Sequence, residues 1–136
     1  MRRAACIAAF LLVAVVAPAA CGNKASVGSS AGTGDNPAPL NGVSAEQVVG
    51  AFTKAGLPAL NAHDVTAEQC PSVHCAQAVG TDTVSVYKFS TTGQAQKYAG
   101  SISHAYLVED IAVVFAPSVT ADMKQEYEAV AARAAA

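Results

Sequence analysis

The sequence is poor in charge, and above all in clustered positive charge. Only 13% of its residues are charged, ten acidic side chains outnumber eight basic ones, and the formal net charge is −2. A nucleic-acid-binding domain carries a basic patch or stripe, and anionic lipid headgroups attract clusters of lysine and arginine. The composition therefore predicts no nucleic-acid partner and no electrostatic attachment to a membrane surface.

Recognisable catalytic motifs are also missing. The three histidines, His63, His74 and His104, have no metal-ligand, nucleophile or phosphate-loop signature around them. We therefore expect no cofactor and a protein that is not an enzyme. Catalytic triads are assembled in space and not by sequence order, so an enzyme with an unrecognised site stays an alternative.

The sequence also lacks an apolar run long enough to remain in a membrane. Its N-terminal run, residues 4–16, has about 13 residues, whereas a membrane-spanning helix takes roughly 20. Arg2 and Arg3 precede this run, and small residues follow it as far as Cys21. A positive start, a short apolar middle and a small-residue end are typical of an export signal peptide, here residues 1–20.

The end of this signal peptide, Ala17-Pro18-Ala19-Ala20-Cys21, resembles the bacterial lipobox. The resemblance implies cleavage before Cys21 and lipidation of that cysteine. The mature protein would then be anchored on the extracytoplasmic face of the cell membrane, with the lipid as its contact to the bilayer. Ordinary secretion with a free Cys21 is the alternative. The mature chain has six basic against ten acidic residues, a mildly acidic protein.

Residues 22–43 after the lipidation site are mostly Gly, Ser, Ala, Asn, Thr and Pro, with scattered charges. This composition has too few large apolar side chains to offset the entropy of ordering, so residues 21–43 are interpreted as the lipidated cysteine and a flexible tether. Residues 44–136 are long enough for one small domain with a single core.

The first half of that domain begins with a strongly signalled helix. Ser44 and Gln47 form the pattern of a capping box, and Gly56 with the following proline marks the helix end. Residues 57–65 are expected to be extended. After a loop that contains two cysteines, residues 83–89 are rich in β-branched and aromatic side chains and are expected to form a strand.

The second half predicts a helix, a hairpin and a helix. Thr91 caps the start of the first of these helices, and residues 104–108 and 111–116 form two short apolar strands around Glu109-Asp110. The last helix begins near Thr120. The predicted fold class is α+β, a small antiparallel or mixed sheet with about three helices packed mainly on one face.

Several stretches of this domain resemble small uncharacterised envelope lipoproteins of actinobacteria, of the mycobacterial type. They are "FTKAGLP", "TVSVYKFSTTGQAQKYA", "YLVEDIAVVF" and "MKQEYEAV". Together they extend over nearly all of residues 44–133. The resemblance implies an envelope lipoprotein, and it brings no established catalytic residues to this chain.

Two cysteines remain in the domain, since Cys6 leaves with the signal peptide and Cys21 takes the lipid. Exported cysteines present in an even number are paired by default, so Cys70 and Cys75 are predicted to form a disulfide. Two other uses of this loop stay open. Cys70 and Cys75 could bind a metal together with His63 and His74, or the loop could serve a redox accessory protein.

The predicted function is therefore a lipid-anchored extracytoplasmic envelope lipoprotein whose domain is a non-catalytic binding or interaction module. Its partner could be an envelope protein, a glycan or a lipid. A large apolar pocket would favour a lipid or another small ligand, and an exposed apolar patch would favour a protein. With so little bulk in the core, we expect no large cavity.

Overall fold

The computed structural model describes residues 41–136. The predicted signal peptide, the predicted lipidation site Cys21 and the predicted tether as far as residue 40 lie outside the described residues. Within residues 41–136 the chain forms α1 (Ala45–Lys54), β1 (His63–Asp64), α2 (Thr66–Val73), β2 (Gln77–Gly80), β3 (Val84–Lys88), α3 (Thr92–Gly100), β4 (Ala105–Val108), β5 (Ile111–Phe115) and α4 (Ala121–Ala135). The α+β class is confirmed.

The strands form a five-stranded sheet in the order β1-β2-β3-β5-β4, and all neighbouring strands are antiparallel. Val86, in the central strand β3, pairs with Val79 of β2 on one side and with Val113 of β5 on the other. The predicted hairpin is present, since Val108 of β4 pairs with Ile111 of β5 across the two-residue turn. No helix of the described residues is long and apolar enough to cross a membrane.

Local capping signals position three of the helices as predicted. The Ser44 hydroxyl accepts a hydrogen bond from the Gln47 amide at 3.1 Å, and the Gln47 side chain accepts one from the Ser44 amide at 2.8 Å. Thr91 and Thr120 supply the hydroxyl caps of α3 and α4. Each cap satisfies an amide that has no partner within its helix, and such a contact stabilises a helix by about 1 kcal/mol.

Alternation along β3 divides the apolar side chains between two clusters, one on each face of the sheet. Val84 and Val86 belong to the larger cluster, which α1 and α4 cover, whereas Tyr87 and Phe89 belong to a smaller one with side chains from α2 and α3. Residues 41–136 thus form four helices and not about three, and these helices cover both faces of the sheet, not mainly one. The reason is that Tyr87 and Phe89 form a second apolar face, which needs its own cover.

The fourth helix, α2, lies where the sequence predicts an extended segment and then a loop. Only His63–Asp64 of the extended segment pairs as a strand, and Cys70 lies inside the helix. The helix starts without a side-chain cap at its N-cap residue and has Pro71 in its interior, so the usual signals are absent. The Asp64 carboxylate instead accepts a hydrogen bond from the Thr66 amide at 2.7 Å, and the bonds from Thr66 lower the pKa of Asp64.

The packed part of the chain includes two residues that the sequence assigned to the tether, Asn41 and Val43. Val43 packs against the larger cluster. Asn41 donates hydrogen bonds to Glu109 and to Asp110 in the turn between β4 and β5, at 2.5 and 3.0 Å. Contacts with the domain therefore extend back along the chain at least as far as Asn41.

Candidate functional site

The predicted disulfide between Cys70 and Cys75 is present. Cys70 belongs to the last part of α2, and His74 ends the helix in the left-handed conformation, with φ of 62° and its amide donating to the Cys70 carbonyl at 2.7 Å. This turn reverses the chain, so that the two α-carbons lie 4.6 Å apart. Both cysteines pack on the smaller cluster, which makes the bond part of the wall that covers that face.

The alternative metal set of His63, Cys70, His74 and Cys75 does not come together as a site. Both sulfur atoms are used in the disulfide, and zinc binds thiolates. His63 lies in β1, where its Nδ1 is 2.7 Å from the Asn61 carbonyl oxygen. Over residues 41–136 no group of three or more His, Cys, Asp or Glu side chains has the arrangement of a metal site.

A groove of about 470 Å³ lies beside the disulfide, between the end of α2 and one face of α3. The α2 side of this groove comes from the segment that the disulfide closes, and the α3 side comes from four positions spaced three, one and three residues apart, which share one helix face. We call this feature the α2–α3 groove, and its lining residues are Ser72, Val73, His74, Gln94, Lys97, Tyr98 and Ser101.

Tyr98 gives the groove a firmly held aromatic side chain. Its ring centroid lies 5.1 Å from that of Tyr87 and 5.4 Å from that of Phe89, so the core holds the ring in place. Burial raises the pKa of the Tyr98 phenol, and the neighbouring Tyr87 raises it further. The hydroxyl therefore stays protonated through the physiological range and can both donate and accept a hydrogen bond.

The polarity of the groove is mixed, and its charge is opposite to that of the domain. Residues 41–136 contain nine acidic and five basic side chains. In the α2–α3 groove, by contrast, Lys97 is the one lysine or arginine, and no lining residue is acidic. Ser72, Gln94 and Ser101 add neutral hydrogen-bonding groups, while Val73 and the Tyr98 ring are apolar. Such a surface suits a ligand with both hydroxyl groups and C–H faces.

A second polar cluster is buried at the β4–β5 turn. Lys88 and Asp110 are 7% and 0% exposed, and the Lys88 Nζ donates to Asp110 Oδ1 at 2.9 Å. The same Nζ donates to the backbone and side-chain oxygens of Asn41, at 3.0 and 2.6 Å. Asp110 Oδ2 lies 2.8 Å from the same Nζ, so both carboxylate oxygens contact the ammonium group.

Sequence reasoning missed both the groove and this ion pair. Lys88 is the one signal for the pair, because it falls on the same strand face as Val84 and Val86, where a charge needs a buried partner. Nothing in the sequence selects Asp110 as that partner. The α3 stripe from Gln94 to Ser101 has no signal as a site either, since the α2 end that faces it was predicted to be a loop.

Compared with protein-family models, curated proteins and solved structures, the chain matches none of them.

Proposed function

We propose that this protein is a lipid-anchored lipoprotein of the cell envelope whose domain is a non-catalytic binding module, with the α2–α3 groove as its binding site. The groove is the observation that carries the proposal. Its volume of about 470 Å³ falls in the range of roughly 300–1,000 Å³ that is typical of small-ligand sites. It also combines apolar and hydrogen-bonding side chains on two rigid helices, one of them closed by a disulfide.

Among a protein, a glycan and a lipid, the surface favours a glycan. Leu60, at 69% exposure, is the one large hydrophobic residue exposed within residues 41–136, so an apolar patch for protein docking has no support there. An acyl chain needs an enclosed apolar cavity, whereas the α2–α3 groove is open to solvent and has polar groups between its apolar surfaces. The Ser72 and Ser101 hydroxyls donate to the carbonyls of Gln69 and Tyr98, so their oxygens can accept hydrogen bonds from sugar hydroxyl groups. Gln94 can both donate to and accept from a sugar, and the Tyr98 ring can contact its C–H face.

Lys97 further favours a glycan with an acidic group. Its ammonium is the one fixed positive charge in the groove, and a carboxylate or phosphate on the sugar would form a charge-assisted hydrogen bond with it. An acidic protein surface around a cationic groove also orients such a ligand, because it repels the anion everywhere else.

The proposed localisation of this binding module rests on the N-terminal sequence. Lipid on Cys21 would hold the chain on the outer face of the membrane. Because contacts with the domain extend back to Asn41, the tether would be residues 22–40 and would span about 24 Å if it behaves as a flexible coil. The domain would then reach glycans close to the headgroups without itself contacting the bilayer.

The groove is tested by placing a negative charge on either of two faces of α3. Gln94 lines the groove and Gln96 does not, and both side chains are exposed on the same helix. We expect Gln94→Glu to weaken the binding of a uronate-containing oligosaccharide several-fold, and Gln96→Glu to leave its affinity within experimental error. Isothermal titration calorimetry measures the affinity, and NMR shift changes locate the ligand.

Two further measurements complete this test. Lys97→Gln should weaken the uronate oligosaccharide more than a neutral oligosaccharide of equal length, because it removes the charge pair. If the shift changes lie away from the groove, or if Gln94→Glu and Gln96→Glu have equal effects, the groove is not the binding site. Failure of both oligosaccharides to bind at millimolar concentration would contradict the glycan proposal.

A further inference from the structure

The two edges of the sheet differ in how they are protected. Edge strands expose unpaired backbone groups, and natural sheets protect them with shortness, charge, proline or bulges. Strand β1 has only two residues, His63 and Asp64, both polar. Strand β4 has the four residues Ala105–Val108, none of them charged or proline, and it pairs with β5 in unbroken register. Strand β4 is therefore the unprotected edge.

The peptide groups that β4 offers can be assigned from its pairing with β5. The Phe115 amide donates to the His104 carbonyl at 3.0 Å, so His104 directs its carbonyl toward β5. In an antiparallel pair this direction alternates from residue to residue. The N–H and C=O groups of Tyr106 and Val108 therefore also point toward β5, and those of Ala105 and Leu107 point outward. Within residues 41–136, no side chain or backbone group forms a hydrogen bond with the outward N–H and C=O groups of Ala105 and Leu107.

We propose that β4 is a homodimerisation edge, at which a second copy of this chain adds its own β4 in antiparallel orientation. The two-fold axis would lie at Tyr106, and Ala105 of each copy would face Leu107 of the other. The four outward peptide groups of each copy would then form about four hydrogen bonds across the axis. The result is a ten-stranded sheet that is continuous across both copies.

Complementary side chains at the two ends of β4 support a second copy as the occupant, because the ring N–H of His104 can donate a hydrogen bond to the carboxylate of Glu109. His104 precedes the strand and Glu109 follows it, and both side chains are exposed. An antiparallel pairing about Tyr106 brings the His104 end of each copy to the Glu109 end of the other. A symmetric dimer thus gains two complementary end contacts, which a parallel arrangement would replace with like groups side by side.

The core already holds the side chains of β4, so pairing would require no rearrangement. Tyr106 and Val108 pack against the larger cluster, and Leu107 packs against the smaller one. A four-residue edge provides a small contact area, which predicts a weak dimer that forms when the protein is concentrated.

The test uses the full chain in isolated membranes, with Tyr106 replaced by the photo-cross-linker p-azidophenylalanine. This amino acid keeps the aromatic ring, and the same replacement at the exposed Gln96 is the control. We expect irradiation to yield a cross-linked species of twice the chain mass at position 106 and none above background at position 96. Leu107→Pro, which removes an outward amide and no β4–β5 hydrogen bond, should reduce the dimer to the level of the Gln96 control.

Ala105→Lys provides a second variant in case Leu107→Pro does not fold. It charges the edge as natural sheets do, and Ala129→Lys on the exposed surface of α4 is its matched control. The proposal fails if position 106 cross-links no more than position 96. It also fails if the product is an internal link to residues 22–40, or a link to another protein, because β4 then pairs with a different strand.

Discussion

At the scale of single residues, the most consequential contact is the buried pair of Lys88 and Asp110. Both side chains are almost fully shielded from water, and they meet Asn41 at the point where the tether joins the domain. Taking two charges out of water offsets most of their attraction, so the pair is weak evidence for net stability. We expect the pair to act on register instead, because it joins the β4–β5 turn and residue 41 to one position of β3.

The buried pair predicts that substitutions at the neighbouring positions 109 and 110 change the free energy of unfolding by different amounts. Asp110→Asn leaves the Lys88 ammonium without its counter-charge and should lower the free energy of unfolding by about 3 kcal/mol, the lower end of the range for breaking a buried pair, since Asn41 still accepts from Lys88. Glu109→Gln, at an exposed carboxylate in the same turn, should change it by only about 0.5 kcal/mol. Urea unfolding of both variants measures the difference, and equal losses would show that Lys88 is not held by Asp110.

At the scale of elements, α2 is the helix that depends most on a constraint from outside its own sequence. It has eight residues, no side-chain cap at its N-cap residue and an internal proline, and isolated helices shorter than roughly 12–15 residues are marginal in water. The disulfide and the packing of Cys70 on the smaller cluster supply what local propensity does not. Because the end of α2 also lines the groove, the bond connects stability to the proposed binding site.

Removal of the disulfide should therefore destabilise the domain and disturb the groove. Closing a loop of this length stabilises a fold by roughly 2 kcal/mol on the chain-entropy relation, so the double variant Cys70→Ser, Cys75→Ser should unfold at correspondingly lower urea concentration. NMR shifts of Ser72, Val73 and His74 should change more than those of α4.

Alkylation of the chain from isolated membranes checks the bond itself. Under denaturing conditions Cys70 and Cys75 should react only after reduction, as read by mass. Two alkyl groups before reduction, or stoichiometric zinc that a chelator removes, would contradict the disulfide and revive the metal alternative.

At the scale of the whole molecule, the proposed function requires that a compact domain and an N-terminal anchor act together. Stable anchoring takes two or more acyl chains, since one alone holds a protein only marginally. The sequence after Cys21 has no basic cluster that would add electrostatic attraction to anionic headgroups. Membrane attachment should therefore depend entirely on Cys21, which lies outside the described residues.

The anchor is tested by fatty-acid labelling of the chain with and without Cys21→Ala. Label should enter the unaltered protein at Cys21, and the variant should be released from the membrane fraction or be mislocalised. Because Cys21 lies far along the chain from the domain, the variant should keep the Cys70–Cys75 bond, which serves as the control for folding. A variant that stays on the membrane with unchanged mobility would contradict lipidation.

What the sequence determined by itself is the set of local features. Ser44, Thr91 and Thr120 cap helices through amides only a few residues away, and the alternation in β3 assigns Val86 and Tyr87 to opposite faces whatever the strand pairs with. These contacts were predictable because both partners lie within one turn or one pleat. The disulfide was predictable for a related reason. If the chain is exported, its signal peptide is removed and Cys21 is lipidated, as we propose, then Cys70 and Cys75 are the two cysteines left to pair.

Tertiary structure alone decided the features that join distant residues. Asp110 became the partner of Lys88 because β3 and β5 lie side by side, and Asn41 joined them from 47 residues earlier in the chain than Lys88. Helix α2 lies where its own local signals are weak, and its packing against the second apolar face of the sheet stabilises it. Its end lies beside α3 in this arrangement, and the two helices together line the groove. Packing of the sheet faces is a long-range effect, and no local pattern of residues encodes it.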